Sequence, residues 1–271
     1  MINEVNSESR RPKGGGYIEK FSFSKLSCFE QCKYQYYMKY VLPKKLRPKE
    51  KENSFSQYGS FVHKILERFQ RGEITQKEMA EIYRDEFDIY VSEKFPKSFV
   101  DLYTSYYTSG LSFLQNYCGQ PDKYEVLDVE MGFETDIGGH IYRGIIDLPL
   151  RDKNTHQIII QDWKSKSSIK TKADKKKAMV QLYTYSKPIY EKYGEYPDML
   201  RLFLFRKNLP VDQKFIKEEY DAAQQWIIDT INDISACKKW DEYSYDEFFC
   251  SNLCGFRDSC KYKELVEFDN Q

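Results

Sequence analysis

Asp162 and Lys164 stand two residues apart in the run QIIIQDWK, residues 157–164, which reads as a β-strand that is nearly all apolar until it reaches the aspartate. Side chains alternate across a strand, so these two leave the same face while Trp163 points the other way, toward a core. Asp147 falls at the end of the adjoining strand-like run, HIYRGIIDLPL, where cross-strand pairing brings it within a few ångströms of Asp162. Two carboxylates that close repel each other, and one neighbouring lysine compensates only in part. A hard divalent cation resolves the conflict. Mg²⁺ takes one or two carboxylates together with waters and a substrate phosphate. The chemistry open to such a group is metal-assisted hydrolysis of a phosphodiester, with the Lys164 ammonium positioning water or neutralising developing charge. An Asp-x-Lys pair also arises by chance as an ion pair at a strand end, and spacing alone leaves that reading open.

Other residues could join this chemistry. Gln181 and Tyr185 lie at i and i+4 of a helical stretch, so both can reach one neighbour, such as a phosphate or Lys164; the competing reading puts Tyr185 in the core and Gln181 in solvent. His63 falls off the apolar stripe of Phe61, Ile65, Leu66 and Phe69, which makes an exposed helix histidine its ordinary reading. Glu130 is the closest acidic competitor for the ligand place; alternating with Leu127, Val129 and Met131, it otherwise simply faces water. Seven cysteines, an odd count, argue against a disulfide framework and toward metal ligation or burial. Cys250, Cys254 and Cys260 fall within eleven residues, whereas Cys118 and Cys237 read as buried thiols. Lys166, Lys170 and Lys172 open a basic run next to Lys164 that either is solvated surface or contacts phosphates. Tyr34 and Tyr37, interleaved with lysines, either stack on single-stranded bases or pack their own helix.

The elements that must hold these residues follow from periodicity. Residues 20–42 read as a helical segment capped by Ser24, 43–57 as a basic loop, and 58–72 as an amphipathic helix ended by Gly72. Two more helical stretches fill 75–118. Alternation over 127–131, a Gly138-Gly139 turn and the strands over 140–150 and 157–164 then make an antiparallel meander. A Lys-rich loop (164–177), a helix (178–193), a strand (198–206) and a helix (217–236) complete the pattern. The expected class is α/β (α+β): a short central mixed sheet flanked by helices, with an N-terminal helical region and a C-terminal cysteine clasp. The 271 residues divide into a flexible arm (1–19) and one domain (20–271), itself parted into 20–123, 124–212 and 213–271. Lys+Arg and Asp+Glu balance at 42 each, so any nucleic-acid contact must come from local patches. No apolar run approaches a membrane span and no secretory leader is visible, so a cytoplasmic protein is expected.

Taken in order, GIID (144–147), QDWK (161–164) and QLYTY (181–185) resemble the PD-(D/E)XK nuclease superfamily in its RecB-like branch, which shows a G-x-x-D strand, a D-x-K strand and a Q-x-x-x-Y helix. The resemblance implies a restriction-endonuclease-like core and a DNA exonuclease working on single-stranded or frayed ends in recombination, repair or CRISPR adaptation. It implies Asp147, Asp162, the Trp163 carbonyl and His63 (in a G-x-x-x-H pattern from Gly59) as ligands to Mg²⁺ or Mn²⁺. Lys164 would then be the catalytic lysine, with Gln181 and Tyr185 beside it. The cysteines resemble those of the iron–sulfur subset, similar to AddB-type and CRISPR-adaptation Cas-type exonucleases, with Cys32, Cys250, Cys254 and Cys260 holding a [4Fe–4S] cluster. Structural Zn²⁺ is the alternative, since thiolates serve both. The family spacing is C-x2-C-x5-C; here Ser251 occupies the first position and Cys250 precedes it, and Cys28 rivals Cys32 from one helical turn away. No P-loop is present, so any helicase activity would belong to a partner chain, and a helicase or a CRISPR-integration protein is the partner the resemblance implies. A non-catalytic DNA-binding scaffold and a structure-specific endonuclease are the competing functions.

Overall fold

The computed structural model describes residues 19–243 and 246–263. All of the arm expected over 1–19 except Glu19 lies outside them. Two mixed sheets flanked by helices form the architecture. The N-terminal part contains β1 (Lys20–Phe21), α1 (Phe23–Gln31), α2 (Lys33–Tyr36), α3 (Ser54–Gln70), α4 (Gln76–Tyr90) and α5 (Leu102–Asn116). The strands β2 (Tyr124–Val126), β3 (Met131–Ile137), β4 (His140–Ile146), β5 (Leu148–Asp152) and β6 (Ile158–Lys164) follow. After them come α6 (Lys172–Thr184), α7 (Ser186–Tyr193), β7 (Met199–Leu204), β8 (Leu209–Lys214) and α8 (Lys217–Ala236). The larger sheet has the order β2-β5-β6-β7-β8, antiparallel except for the β6–β7 pair; the smaller has β1-β4-β3, with β1 parallel to β4.

β6 is central and buried on both faces, which explains its apolar run. On one face Ile159 and Trp163 pack with α3 side chains such as Phe61, Ile65 and Leu66 and with Phe113 of α5. On the other, Ile158 and Ile160 meet Met179 and Leu182 of α6 and Ile189 of α7. A third cluster joins α1, the small sheet and α8 through Leu26, Tyr142 and Ile227. Asn53 caps α3 by accepting from the Ser56 amide at 2.9 Å.

The expected meander is split between two sheets, and the split has a local cause. Val126 pairs with Leu150 and Met131 with Ile146, so residues 127–130 face the shorter segment 147–149. The extra residue makes a β-bulge, held by Leu127 N–H donating to Pro149 O and Glu130 N–H donating to Asp147 O. Glu130 takes a left-handed conformation there, with φ +52°. The alternating strand expected over 127–131 is therefore interrupted, and the run over 140–150 changes sheet at Asp147. Elsewhere the cap of α1 is Ser22, not Ser24: Ser22 Oγ accepts from the Lys25 amide at 3.3 Å. The helical segment expected over 20–42 breaks at Cys32, whose backbone is extended. α6 begins at Lys172, shortening the Lys-rich loop, because Thr171 and Asp174 form a capping box. No disulfide links the seven cysteines, and Cys118 is exposed rather than buried. Among the described residues no helix is long and apolar enough to cross a membrane.

Candidate active site

The β4–β5 junction lies beside the C-terminal half of β6, and one hydrogen bond ties the two: the Trp163 amide donates to Asp147 Oδ2 at 2.8 Å. From the α3 side, His63 Nε2 lies 3.0 Å from the Trp163 carbonyl oxygen. A carbonyl can only accept, so Nε2 carries the hydrogen and the Nδ1 lone pair is left toward Asp147 Oδ2, 3.6 Å away. The bulge adds Glu130. Donor atoms of His63, Glu130 and Asp147 all lie within 4.8 Å of one another, three ligands from three elements.

A polar chain runs outward on the α6 side of the same strand. Asp162, 2 % exposed, has Oδ2 2.7 Å from Lys164 Nζ, an ion pair off the hydrogen-bond direction that leaves this oxygen otherwise unpartnered. Lys164 Nζ donates to Gln181 Oε1 at 2.8 Å, and Gln181 Nε2 donates to the Tyr185 hydroxyl at 2.6 Å. The ammonium is thus held from two sides, and Tyr185, itself buried, fixes the amide.

The electrostatics are those of a site short of positive charge. Burial, and then the Asp162 carboxylate, push the Asp147 carboxyl well above the usual range, against the opposing pull of the Trp163 amide. Glu130 is raised as well, by burial first and then by Glu67. Burial lowers the His63 imidazole, which favours its neutral, ligating form. Two destabilised acids and a neutral imidazole, with the buried Asp162 carboxylate beside them, form a donor set of the kind that accepts Mg²⁺ or Mn²⁺.

The residues singled out in the sequence therefore converge: His63, Asp147 and the Trp163 carbonyl at the donor cluster, and Asp162, Lys164, Gln181 and Tyr185 in the chain beside it. Asp162 is not in the tight triad. Glu130 takes that place, although alternation assigned it to solvent; the extra residue of the bulge turns it inward, and nothing in the local pattern announces a left-handed glutamate. Lys166, Lys170 and Lys172 are exposed, the first two in the β6–α6 loop and the third on the first turn of α6.

A second cluster sits elsewhere. Cys32, Cys250, Cys254 and Cys260 line one cavity of about 610 Å³, and Cys28 does not border it. Burial pushes the Cys254 thiol up to about 11, with Cys250, Cys260 and Cys32 adding to the shift. Among the described residues the thiols do not close to the 4.8 Å spacing of the carboxylate–histidine triad. Tyr34 lines this cavity, packs edge-on against Tyr262 and stacks on Tyr37, so both tyrosines stand at the clasp.

No curated protein matches the chain. A crystal structure of a protein called SSO0001 is similar over 89 % of this chain and 95 % of that one, at 13 % identity and a TM-score of 0.32. The profile of one family matches residues 20–261, a span that takes in the triad, the Asp162–Tyr185 chain and the four thiols alike. Matched over most of its length, the chain belongs to the PD-(D/E)XK nuclease superfamily, whose members cut nucleic acid with divalent metals.

Proposed function

We propose that this protein is a divalent-metal-dependent DNA exonuclease of the RecB-like branch, hydrolysing single-stranded or frayed ends in recombination, repair or CRISPR adaptation. The observation that carries the reading is the meeting of the His63, Glu130 and Asp147 donors beside the tethered Lys164 ammonium. In this reading His63, Asp147, Asp162 and the Trp163 carbonyl, joined by Glu130, hold Mg²⁺ or Mn²⁺. When bound, such a cation supplies Lewis acidity and neutralises charge at a phosphodiester. The chain's own groups do the rest. Asp162 and Gln181 hold Lys164 so that its remaining N–H can orient an attacking water or stabilise the negative charge that builds on phosphate oxygen. Tyr185 keeps Gln181 in that role. Lys166, Lys170 and Lys172, exposed and following Lys164 in the chain, would engage phosphates in a salt-sensitive manner.

The same reading gives Cys32, Cys250, Cys254 and Cys260 a [4Fe–4S] cluster. Structural Zn²⁺ held by the same four thiols is the alternative, and metal analysis separates the two.

The test is an anaerobic preparation assayed with Mg²⁺ and Mn²⁺ on 5′- and 3′-labelled single strands and on circular DNA, with iron and zinc quantified in the same sample. Degradation from ends, abolished in Asp162→Ala with folding intact, is the expected result. Cutting of circles would make the protein an endonuclease, and salt-sensitive binding without turnover in any metal would make it a scaffold.

A further inference from the structure

A groove of about 710 Å³ opens directly on the site. Asp147, Gln181 and Tyr185 line part of it, and residues 132–134 of β3 and 143–145 of β4 line its floor. Its volume falls within the range of built ligand sites. Arg143 stands on that floor, four residues before Asp147 on an extended strand and therefore ~13 Å from it along the backbone. The register pairs Arg143 directly with Glu134, the partner that would ordinarily neutralise it. Glu134 is taken instead: both its oxygens accept from Lys20 Nζ, at 2.6 and 2.9 Å. Arg143 is exposed and has no hydrogen-bond or ion-pair partner among the described residues. Around it the floor is kept open and partly apolar. Ile145 is 52 % exposed, and a side chain at Gly132 would meet nothing within 4 Å.

We infer that this groove is the track of the substrate strand and that Arg143 clamps one of its backbone phosphates away from the bond being cut. The inference rests on the nuclease reading above and deepens it. A guanidinium is a planar fork of donors suited to two phosphate oxygens at once. Here Lys20 has removed its carboxylate competitor, while Glu134 keeps too little net charge to repel the strand. Ile145 and the open backbone at Gly132 give the sugar and base a surface to lie on. Arg143 is a positioning residue: it holds the strand so that the next phosphates reach the donor cluster.

Two measurements on the full chain test the clamp. The first is fluorescence anisotropy of a labelled single-stranded oligonucleotide in EDTA, across a salt series. Arg143→Ala should weaken binding about tenfold and flatten the slope of log K against log salt by about 0.7, one phosphate contact on a single strand. Arg143→Lys should keep most of the slope and lose part of the affinity. Arg84→Ala, the same charge change on α4 away from the groove, should move neither. The second is steady-state cleavage, in which Arg143→Ala should raise KM for the oligonucleotide far more than it lowers kcat, and should harm the oligonucleotide more than bis(p-nitrophenyl) phosphate. An unchanged salt slope in Arg143→Ala, or equal losses on both substrates, overturns the clamp. A protein that turns over neither substrate in any metal yet shows the slope change would sink the nuclease reading and leave the strand track standing.

Discussion

Lys164 is held by an ion pair to Asp162 Oδ2 at 2.7 Å and a hydrogen bond to Gln181 Oε1 at 2.8 Å, a larger investment than a surface lysine requires. An exposed ion pair contributes little to stability because water screens it and ordering two long side chains is unfavourable. The arrangement makes sense when the ammonium must be in place before charge develops. Lys164→Ala is therefore expected to lower kcat by roughly 10²–10³-fold, the loss typical of one preorganised electrostatic group, with unchanged circular dichroism. A loss below about threefold would remove Lys164 from the chemistry. Asp147 makes the complementary prediction. Its carboxyl is raised by burial and by Asp162, so the native state holds the proton more tightly than the unfolded chain does. Stability from that proton is complete below about pH 4, the ordinary aspartate value, and drains away as pH rises through the raised one. In EDTA the melting temperature should thus fall as pH climbs above that point. Asp147→Asn should flatten the fall, and Mn²⁺ should restore stability at neutral pH in the wild type only. If the variant gained as much from Mn²⁺ as the wild type, the cation would be bound elsewhere.

At the scale of elements, the site depends on how closely α3, α4 and α5 pack behind β6. Gly110 of α5 marks the tightest point: a Cβ there would stand 2.3 Å from Tyr83 Oη and 2.9 Å from Tyr58 Oη, on two rings with no solvent exposure. Neither ring can swing away. Gly110→Ala should cost ~1–3 kcal/mol by overpacking, read as a lower denaturation midpoint at constant m-value; a neutral or stabilising effect would mean the helices can separate. Such packing is where reading from the sequence stopped. α3, β6, β7 and α8 were legible because each buries one stripe or a whole apolar run, and periodicity reports burial directly. β8 was not: LPVDQK is an exposed edge strand with a proline, lacking the apolar signal of its neighbour β7. The sheet change at Asp147 and the inward turn of Glu130 were also invisible, since a bulge is a property of two strands in register and neither strand alone encodes it. Asp147, Asp162 and Lys164 were singled out by the order of the GIID, QDWK and QLYTY motifs, since the Asp-x-Lys spacing alone left an ordinary ion pair open. Glu130 needed the fold.

On the scale of the whole molecule, the four-thiol cavity and the His63–Glu130–Asp147 donor cluster are physically joined. Cys32 and Cys254 are more than two hundred residues apart, so a group bridging them restrains the unfolded chain strongly; a comparable cross-link over a 100-residue loop contributes about 5 kcal/mol in the chain-entropy account. The same segment reaches α3. Asn53, the α3 cap, donates through Nδ2 to Leu253 O at 3.1 Å, and the Lys51 amide donates to Gly255 O at 2.8 Å. That approach tolerates no side chain: a Cβ on Gly255 would lie 2.6 Å from Glu50 Cγ and 2.7 Å from Lys51 O. α3 in turn carries His63. Cys254→Ser should therefore do two things at once if the clasp holds iron. It should cut iron content and the accompanying visible absorbance, and it should lower the melting temperature by many degrees. Asp162→Ala, by contrast, should keep full iron while losing turnover. A Cys254→Ser protein with wild-type iron and stability would leave the four thiols without a shared ligand, and the long-range tie between the C-terminal segment and α3 would then rest on direct contacts such as the Asn53 and Lys51 hydrogen bonds, the Lys51–Asp258 ion pair and the Phe55–Phe248 ring contact.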